Sequence, residues 1–546
     1  MKKTIFKLFV PLVLSTALLT SCGGSSTETE TPTDSSTTEE STDTTDTADT
    51  SEDSATTESK EVFVYGIDGD PTNNINPISA SGRYDLSSVK AMFSPLLSFN
   101  SADDIDYYLA TAYEVSDDAL TYTFSLRDDV LWHDGETFTA DDVVFTYETI
   151  LTNPTANGYD SFQFNGNPLI VEKVDDYTVS FTLPYAIPNA LELLTVEHFI
   201  APKHIWDGET DLTTNAKNAH PIGTGAYMFE SYKEGDNLTF VKNENYFLGE
   251  PNIDKIIFKI VLDANSALVA LQNGEIDALS ILPADAEKLD PEQISVYPYT
   301  ENRIGYLSAI MYRPNMDNED FRKAIFYAID KQSIINALYV SEDYARNAHS
   351  FLPENATFFS EDGVEFYDFD LAKSQEHLAA SGVTNPTVKI GYYANAAYET
   401  QATLVQAFLT AAGFNCEIQS YDPTALSKAL TDKTADFDLF FSGYIMGIDP
   451  SNYATLFVSD GVSNYSGVSN ETIDAGFAAG VAELDTAKRE EIYKQLQIDF
   501  MDYAFFLPIA ENKRILAINN RIGGIEEAKL IPIFTFEDMS KLTEVQ

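Results

Sequence analysis

Alternating hydrophobic and polar positions recur along the chain and predict half-buried β-strands. Tyr122, Phe124 and Leu126 alternate with Thr and Ser, and the same period of two occurs in residues 177–183 and 256–260. Because successive side chains of a strand point to opposite faces, each run indicates a strand with one buried face.

Apolar residues spaced by three or four positions predict helices as well. Such stripes occupy residues 321–338, 404–409 and 492–503. Gly413 follows the second stripe, as is typical of a helix C-terminus, and residues 414–418 then alternate again. This order of helix, glycine and strand predicts an α/β fold in which helices cover a sheet.

Shorter motifs indicate local structure and not chemistry. Thr139 and Asp142 are spaced like a helix-capping pair. Residues 265–274 predict a short helix and residues 275–277 an edge strand. Gly223-Thr224-Gly225 lacks the third glycine of a dinucleotide site, so it is interpreted as the opening of a strand.

The N-terminus predicts export. Three lysines precede an apolar run, residues 8–19, that is too short to span a membrane and is interrupted by Pro11. The run ends in Leu19-Thr20-Ser21-Cys22, which resembles a bacterial lipobox. The resemblance implies that residues 1–22 are a lipoprotein signal peptide and that Cys22 carries the lipid. An ordinary secretory signal with an incidental cysteine is the alternative.

Residues 23–60 predict a disordered acidic linker rich in Ser and Thr. They contain no aromatic residue, no Leu, Ile or Val, and eleven acidic residues against one Lys. Such a composition cannot bury enough apolar surface to offset the entropy of ordering the chain.

The remaining chain has a globular composition and is long enough for two or three domains. The formal net charge of the full chain, −53, argues against nucleic acid and anionic lipid surfaces as partners. Cys416 has no partner once Cys22 is acylated, so we expect no disulfide.

Five sequence blocks carry a family resemblance. The first is AYEVSDDALTYTFSLRDDVLWHDGETFTADDVVFTYETI at residues 112–150, and the others occupy residues 201–204, 221–246, 254–279 and 318–335. Their order and spacing resemble the family 5 extracellular solute-binding proteins. This group contains the oligopeptide-, dipeptide- and nickel-binding receptors of ABC importers.

The resemblance implies a two-lobed periplasmic-binding-protein-like fold of the cluster C type. Lobe one would combine residues 61–92, 196–304 and 504–546. An extra domain, residues 93–195, would extend this lobe, and residues 305–503 would form lobe two.

The function implied is capture of a small solute in the cleft between the lobes, by hinge closure, and delivery to the permease of an ABC importer. The permease subunits would be direct partners and the ATPase subunits indirect ones. The protein would act as a monomer on the outer face of the cytoplasmic membrane, held there by the lipid on Cys22.

An enzyme is disfavoured because the sequence contains no Gly-x-Ser-x-Gly elbow, Walker loop, His-Glu-x-x-His pair or Cys-x-x-Cys pair. The six histidines are dispersed singly. We therefore expect no catalytic residue, no cofactor and no metal site.

The ligand class is the open question. In peptide-binding members, a carboxylate in a lobe-two loop pairs with the α-amino group of the ligand, a few residues before an Asp-Pro turn. Here uncharged residues 444–446 occupy that place, and Asp449 is either the substitute carboxylate or the start of a turn before Pro450. The candidate ligand-binding residues are Asn76, Ser442, Gly443, Tyr444, Met446 and Asp449.

An oligopeptide or dipeptide is the leading ligand class, because a deep cleft can bind backbone groups of many sequences. An oligosaccharide, a nickel chelate or an opine-like compound remains an alternative for the same fold. A surface receptor or adhesin without transport is a further alternative.

Overall fold

The computed structural model describes residues 61–71, 74–101 and 104–545. The predicted signal peptide, Cys22 and the acidic linker lie outside the described residues, and these expectations stay predictions.

The described chain alternates strands and helices, as predicted. The strands are β1 (Val62–Ile67), β2 (Leu97–Ser101), β3 (Asp104–Tyr107), β4 (Ala110–Val115), β5 (Thr121–Leu126), β6 (Ile170–Asp175), β7 (Thr178–Thr182), β8 (Tyr227–Lys233), β9 (Asn237–Lys242), β10 (Lys255–Ile260), β11 (Ala278–Ile281), β12 (Ile294–Ala309), β13 (Ala345–Asn347), β14 (Thr387–Tyr393), β15 (Asn415–Tyr421), β16 (Leu439–Ile445), β17 (Phe506–Asn519), β18 (Ile522–Gly523), β19 (Leu530–Ile531), β20 (Thr535–Phe536) and β21 (Thr543–Glu544). The helices are α1 (Arg83–Met92), α2 (Ala140–Thr152), α3 (Ala190–Thr195), α4 (Lys203–Trp206), α5 (Ala264–Gln272), α6 (Pro283–Ala286), α7 (Glu319–Tyr327), α8 (Lys331–Tyr339), α9 (Leu371–Ser381), α10 (Ala396–Ala411), α11 (Pro423–Thr431), α12 (Ala454–Phe457), α13 (Glu471–Ala482), α14 (Thr486–Asp502) and α15 (Ile525–Ala528).

One large mixed sheet runs through both halves of the molecule. Its strand order is β15-β14-β16-β12-β17-β11-β1-β10-β9-β8, and β13 pairs with β17 off this path. The long strands β12 and β17 are antiparallel partners from Ile294 and Asn519 at one end to Ser308 and Phe506 at the other. Along this pair, β17 borders β11 in the first half and β12 borders β16 in the second.

Two large hydrophobic cores flank the middle of this sheet. The first contains Phe63 and Phe258 together with Leu516 and Ile518 of β17. The second contains Ile304 of β12 and residues 505–507 and 509–510 of the chain. β12 and β17 therefore pass from one lobe to the other, and the fold is the two-lobed α/β architecture that the sequence predicts. The residue boundaries proposed for the lobes stay a prediction.

A separate antiparallel sheet of order β4-β5-β7-β6 packs against α2. α2 begins at a capping box in which Thr139 and Asp142 satisfy each other's backbone N–H groups, as the sequence predicts. Phe124 of β5 and Phe181 of β7 meet edge to face in the core of this unit. The unit lies within the residues predicted to form the extra domain.

Two local predictions need correction. Residues 275–277 form no edge strand; β11 begins at Ala278 and lies between β1 and β17 in the sheet interior. Asp277 accepts a hydrogen bond from Val64 N at 2.8 Å and pairs with Arg521, which ties this turn to neighbouring strands. The stripe at 321–338 divides into α7 and α8, because Asp330 caps a new helix by accepting from Ser333 N.

Among the helices of the described ranges, none has the length and apolar composition needed to cross a bilayer.

Candidate functional site

The two lobes meet where β12 and β17 bend. Regular pairing is interrupted between Thr300 and Arg303, so that two residues bulge out of β12. Asn302, in the bulge, adopts a left-handed backbone with φ of 54°, and its N–H donates to Thr300 Oγ1 at 3.0 Å. We call Thr300–Arg303 of β12 and Asn512–Arg514 of β17 the crossing.

A buried carboxylate sits in this bulge. Glu301 lies 2.9 Å from Arg83 Nη1, and both side chains are largely buried. Burial alone would raise the pKa of Glu301, but Arg83 and Arg514 outweigh it and lower the pKa below the ordinary value. Glu301 is therefore a fixed negative charge at the crossing, and Arg83 is its direct partner.

Arg303 is half-buried at the crossing and is held without a carboxylate partner. Its Nη1 donates to Asn512 Oδ1 at 2.8 Å, and the hydroxyls of Tyr339 and Tyr398 lie near its guanidinium. A Cβ on Gly443 would lie 2.5 Å from Arg303 Nη2, so only glycine allows the guanidinium to lie against β16 here. The ion pairs of the described residues do not include Arg303.

A second contact between the lobes involves α3. Ala190 and Leu194 of α3 pack in the first core, whereas Glu192 reaches Asn452, which lies beside the second core. A Cβ added to Gly447 would lie 2.8 Å from Glu192 Oε1. Burial, reinforced by the nearby Asp449 carboxylate, raises the pKa of Glu192 to about 8. The structure therefore holds the lobes against each other on this side.

Asp449 is committed to an internal ion pair. Its two carboxylate oxygens accept from Arg489 Nη1 and Nη2, each at 2.7 Å, and both side chains are buried. Asp449 also caps the short 3-10 helix Pro450–Tyr453 by accepting from Ser451 N at 2.8 Å. To bind the amino group of a ligand, Asp449 would have to give up its ion pair with Arg489.

Tyr444 and Met446 lie in the second core. The Tyr444 hydroxyl donates to Phe351 O at 2.5 Å, and its ring packs against Tyr453 and Phe506. Met446 is 3% exposed. Both side chains serve packing in this arrangement.

Asn76 is buried, and its side-chain amide forms hydrogen bonds within lobe one. Its Oδ1 accepts from Ile78 N at 2.9 Å, and its Nδ2 donates to Asn218 Oδ1 at 3.2 Å. Ser442 and Gly443, in contrast, are half-buried on β16, and Gly443 touches Arg303. As ligand contacts, all six candidates stay a prediction, and of the six, Ser442 and Gly443 lie beside the crossing on β16.

Sequence reasoning missed the charged residues of the junction. These are Arg83, Glu192, Arg303 and Arg514. The signal that could have found Arg303 is an arginine directly before the largely apolar run of residues 304–311, because a charge beside a buried segment needs a partner or a ligand. Within the described ranges, no group of three or more His, Cys, Asp or Glu side chains is arranged to hold a metal ion.

The chain is similar to curated binding proteins over most of its length. It is 28% identical to the dipeptide-binding protein of Escherichia coli K12, covering 85% of this chain and 92% of that protein. It is 26% identical to heme-binding protein A of Haemophilus influenzae, covering 86% and 90% of the two chains.

Solved structures have the same architecture. The ABC transporter substrate-binding protein CtaP from Listeria monocytogenes superimposes with a TM-score of 0.85 at 38% identity, covering 89% of this chain and all of that one. NikZ from Campylobacter jejuni, solved with Ni(L-His), matches in fold with a TM-score of 0.75 at 23% identity, covering 89% of this chain and all of NikZ.

The sequence profile described as bacterial extracellular solute-binding proteins, family 5 Middle, matches residues 104–465. With its two lobes, its crossing strands and this match over most of its length, the chain belongs to the family 5 bacterial extracellular solute-binding proteins.

Proposed function

We propose that this protein captures an oligopeptide or dipeptide between its lobes and delivers it to the permease of an ABC importer. The observation that carries this proposal is the crossing: two separately packed lobes are joined through strands that bend at a bulge. Such a junction suits hinge closure, in which the ligand contributes the free energy that favours the closed form.

Two observations bear on the ligand class. The E. coli relative is a dipeptide-binding protein, which supports a peptide. The Asp449 carboxylate, however, is already paired with Arg489, and residues 444–446 supply no charge for a ligand amine. This favours, as the second candidate, a non-peptide solute such as an oligosaccharide, a nickel chelate or an opine-like compound, bound by the same two lobes.

The proposal includes the cell-surface location. A lipid on Cys22 would anchor a monomer to the outer face of the cytoplasmic membrane, and residues 23–60 would tether the lobes near the permease. No catalytic step is part of the proposal, because the solute is released unchanged.

Native mass spectrometry of the freshly purified protein tests the proposal. We expect a small molecule bound in one copy, identified after denaturation and recovered intact after prolonged incubation. A bound molecule that is converted to a product during incubation would contradict a transport role and favour an enzyme.

A further inference from the structure

The arginines of this acidic chain differ in whether a carboxylate lies within ion-pair distance. The chain carries a formal charge of −53 and nine arginines. Five arginines form ion pairs with carboxylates outside the crossing, and a sixth, Arg83, pairs with Glu301. The five pairs are Arg127–Asp129, Arg313–Asp438, Arg346–Glu511, Arg489–Asp449 and Arg521–Asp277, and Glu511 directly precedes Asn512 of the crossing.

The other three arginines have no carboxylate within ion-pair distance among the described residues. Arg322 is fully used inside lobe two, where its guanidinium donates to three backbone carbonyls. Arg303 and Arg514 remain, and both belong to the crossing. The buried Glu301 carboxylate acts on both guanidiniums from beyond ion-pair distance. Glu301 already pairs with Arg83, so three arginines share this one carboxylate, and the excess of buried positive charge at the crossing is a functional signal.

Arg303 and Arg514 share one face of the crossing. Arg303 is directly opposite Asn512 in the sheet register, and Asn512 and Arg514 are two positions apart on β17. Because residues opposite each other, and residues two apart on one strand, point to the same face, the register places the side chains of Arg303 and Arg514 on the same face of the strand pair. Arg514 Nε donates to Ser280 Oγ at 2.8 Å.

The hydrogen-bonding groups around Arg303 leave capacity for an anion. A guanidinium has five N–H donors in a planar fork, and Asn512 Oδ1 uses one of them. The other neighbours are the hydroxyls of Tyr339 and Tyr398, which can turn toward a ligand. A carboxylate accepts two parallel N–H bonds from such a fork.

We propose that the transported solute carries a carboxylate group and that Arg303 binds it at the crossing, with Arg514 supplying a second positive charge on the same face. Arg303 is thus a specificity-determining residue of the site. This inference rests on the proposed function, since it names the ligand chemistry that closes the lobes.

The test compares the full-length wild type with Arg303→Gln and Arg303→Lys. The probe is a tryptic hydrolysate of casein, used untreated and after methyl esterification, which removes the negative charge from carboxylates. Solutes retained through gel filtration are identified by mass spectrometry, and the affinity of the principal retained peptide is measured by calorimetry.

We expect the wild type to retain solutes from the untreated hydrolysate and none from the esterified one. Arg303→Gln should weaken binding about 30-fold or more, as removal of one member of a desolvated charge pair does. Arg303→Lys should fall between them, because it keeps the charge and loses the planar fork.

Arg127→Gln is the matched control, because it removes the same charge from the Arg127–Asp129 pair far from the crossing. It should bind as the wild type does. Circular dichroism and the melting temperature of each unliganded variant establish that it is folded.

Equal retention of esterified and untreated solutes, or unchanged affinity in folded Arg303→Gln, would overturn the anion site and leave the proposed function intact. The solute that co-purifies from cells gives a second readout, because one without an acidic group would also overturn the site. A wild type that retains nothing and co-purifies with nothing would overturn the proposed function itself.

Discussion

Asp449 and Arg489 form a buried pair whose role is testable one residue at a time. Asp449→Asn should leave the Arg489 guanidinium buried without its counter-charge. We expect the free energy of unfolding, measured by urea denaturation, to fall by about 3–5 kcal/mol.

The control for this variant is Asp129→Asn, which breaks a pair whose carboxylate side chain is 56% exposed and should cost at most about 1 kcal/mol. If Asp449→Asn were no more destabilising than Asp129→Asn, while solute binding was lost, Asp449 would belong to the ligand site.

Tyr444→Phe separates a packing role from a ligand contact. The variant removes the hydroxyl that donates to Phe351 O and keeps the ring in the second core. We expect a loss of about 1 kcal/mol in stability and an unchanged affinity for the co-purified solute in calorimetry. Unchanged stability with a clearly weaker affinity would support the sequence prediction that Tyr444 lines the ligand site.

Sequence reasoning identified some residues of the junction between the lobes and missed others. It selected Ser442 and Gly443 beside the crossing, because the family loop can be found from the Asp449-Pro450 turn. Arg303 went unnoticed because its neighbours Asn512 and Gly443 lie more than a hundred residues away in sequence. Whether an arginine has a carboxylate within ion-pair distance can be determined only from the folded structure.

The contact of α3 with the lobe-two loop predicts a pH dependence of closure. Glu192 faces Asn452, with Asp449, Arg489 and Glu197 as the charged groups nearby. Because the pKa of Glu192 is raised from its ordinary value of 4.5 to about 8, the contact favours the protonated carboxyl. The contact should therefore be strongest below about pH 4.5 and weaken as the pH rises from there to about 8, where Glu192 ionises within the contact as well.

We expect the solute affinity of the wild type, measured from acidic to mildly alkaline pH, to decrease as the pH rises. Glu192→Gln keeps the hydrogen bond to Asn452 and cannot ionise, so its affinity should change less over the same range. A wild-type and a Glu192→Gln profile of the same shape would show that another group controls closure.

Elements with a strong local pattern were predictable, and those defined by distant pairing were not. The alternation at residues 121–126 and the capping pair Thr139 and Asp142 specify β5 and α2 locally. The edge strand predicted at residues 275–277 was wrong, because the strand that follows them, β11, lies between β1 and β17, and β17 comes more than two hundred residues later in the chain. The length of β12 and β17 was likewise not evident from the sequence. Each strand begins in one lobe and ends in the other, so its burial pattern changes along its length.

At the scale of the whole molecule, the proposed cell-surface location depends on the N-terminus and on a lipid at Cys22. Cys22→Ser should abolish lipid attachment, because the modification needs the thiol. Cells are fractionated and the protein is detected in each fraction by immunoblotting. We expect the wild type in the membrane fraction and Cys22→Ser in the soluble or secreted fraction. Equal membrane retention of both forms would favour another mode of attachment.

Closure of the two lobes around a solute is the central claim, and a distance measured between the lobes tests it most directly. Spin labels at Lys233→Cys and Lys428→Cys, on exposed side chains of lobe one and lobe two, report this distance by electron double resonance. Cys22 and Cys416 are replaced by Ser. We predict a broad or longer distance distribution in the solute-free protein and a narrow, shorter one after addition of the co-purified solute. An unchanged distribution in protein that has demonstrably bound the solute would contradict capture by hinge closure.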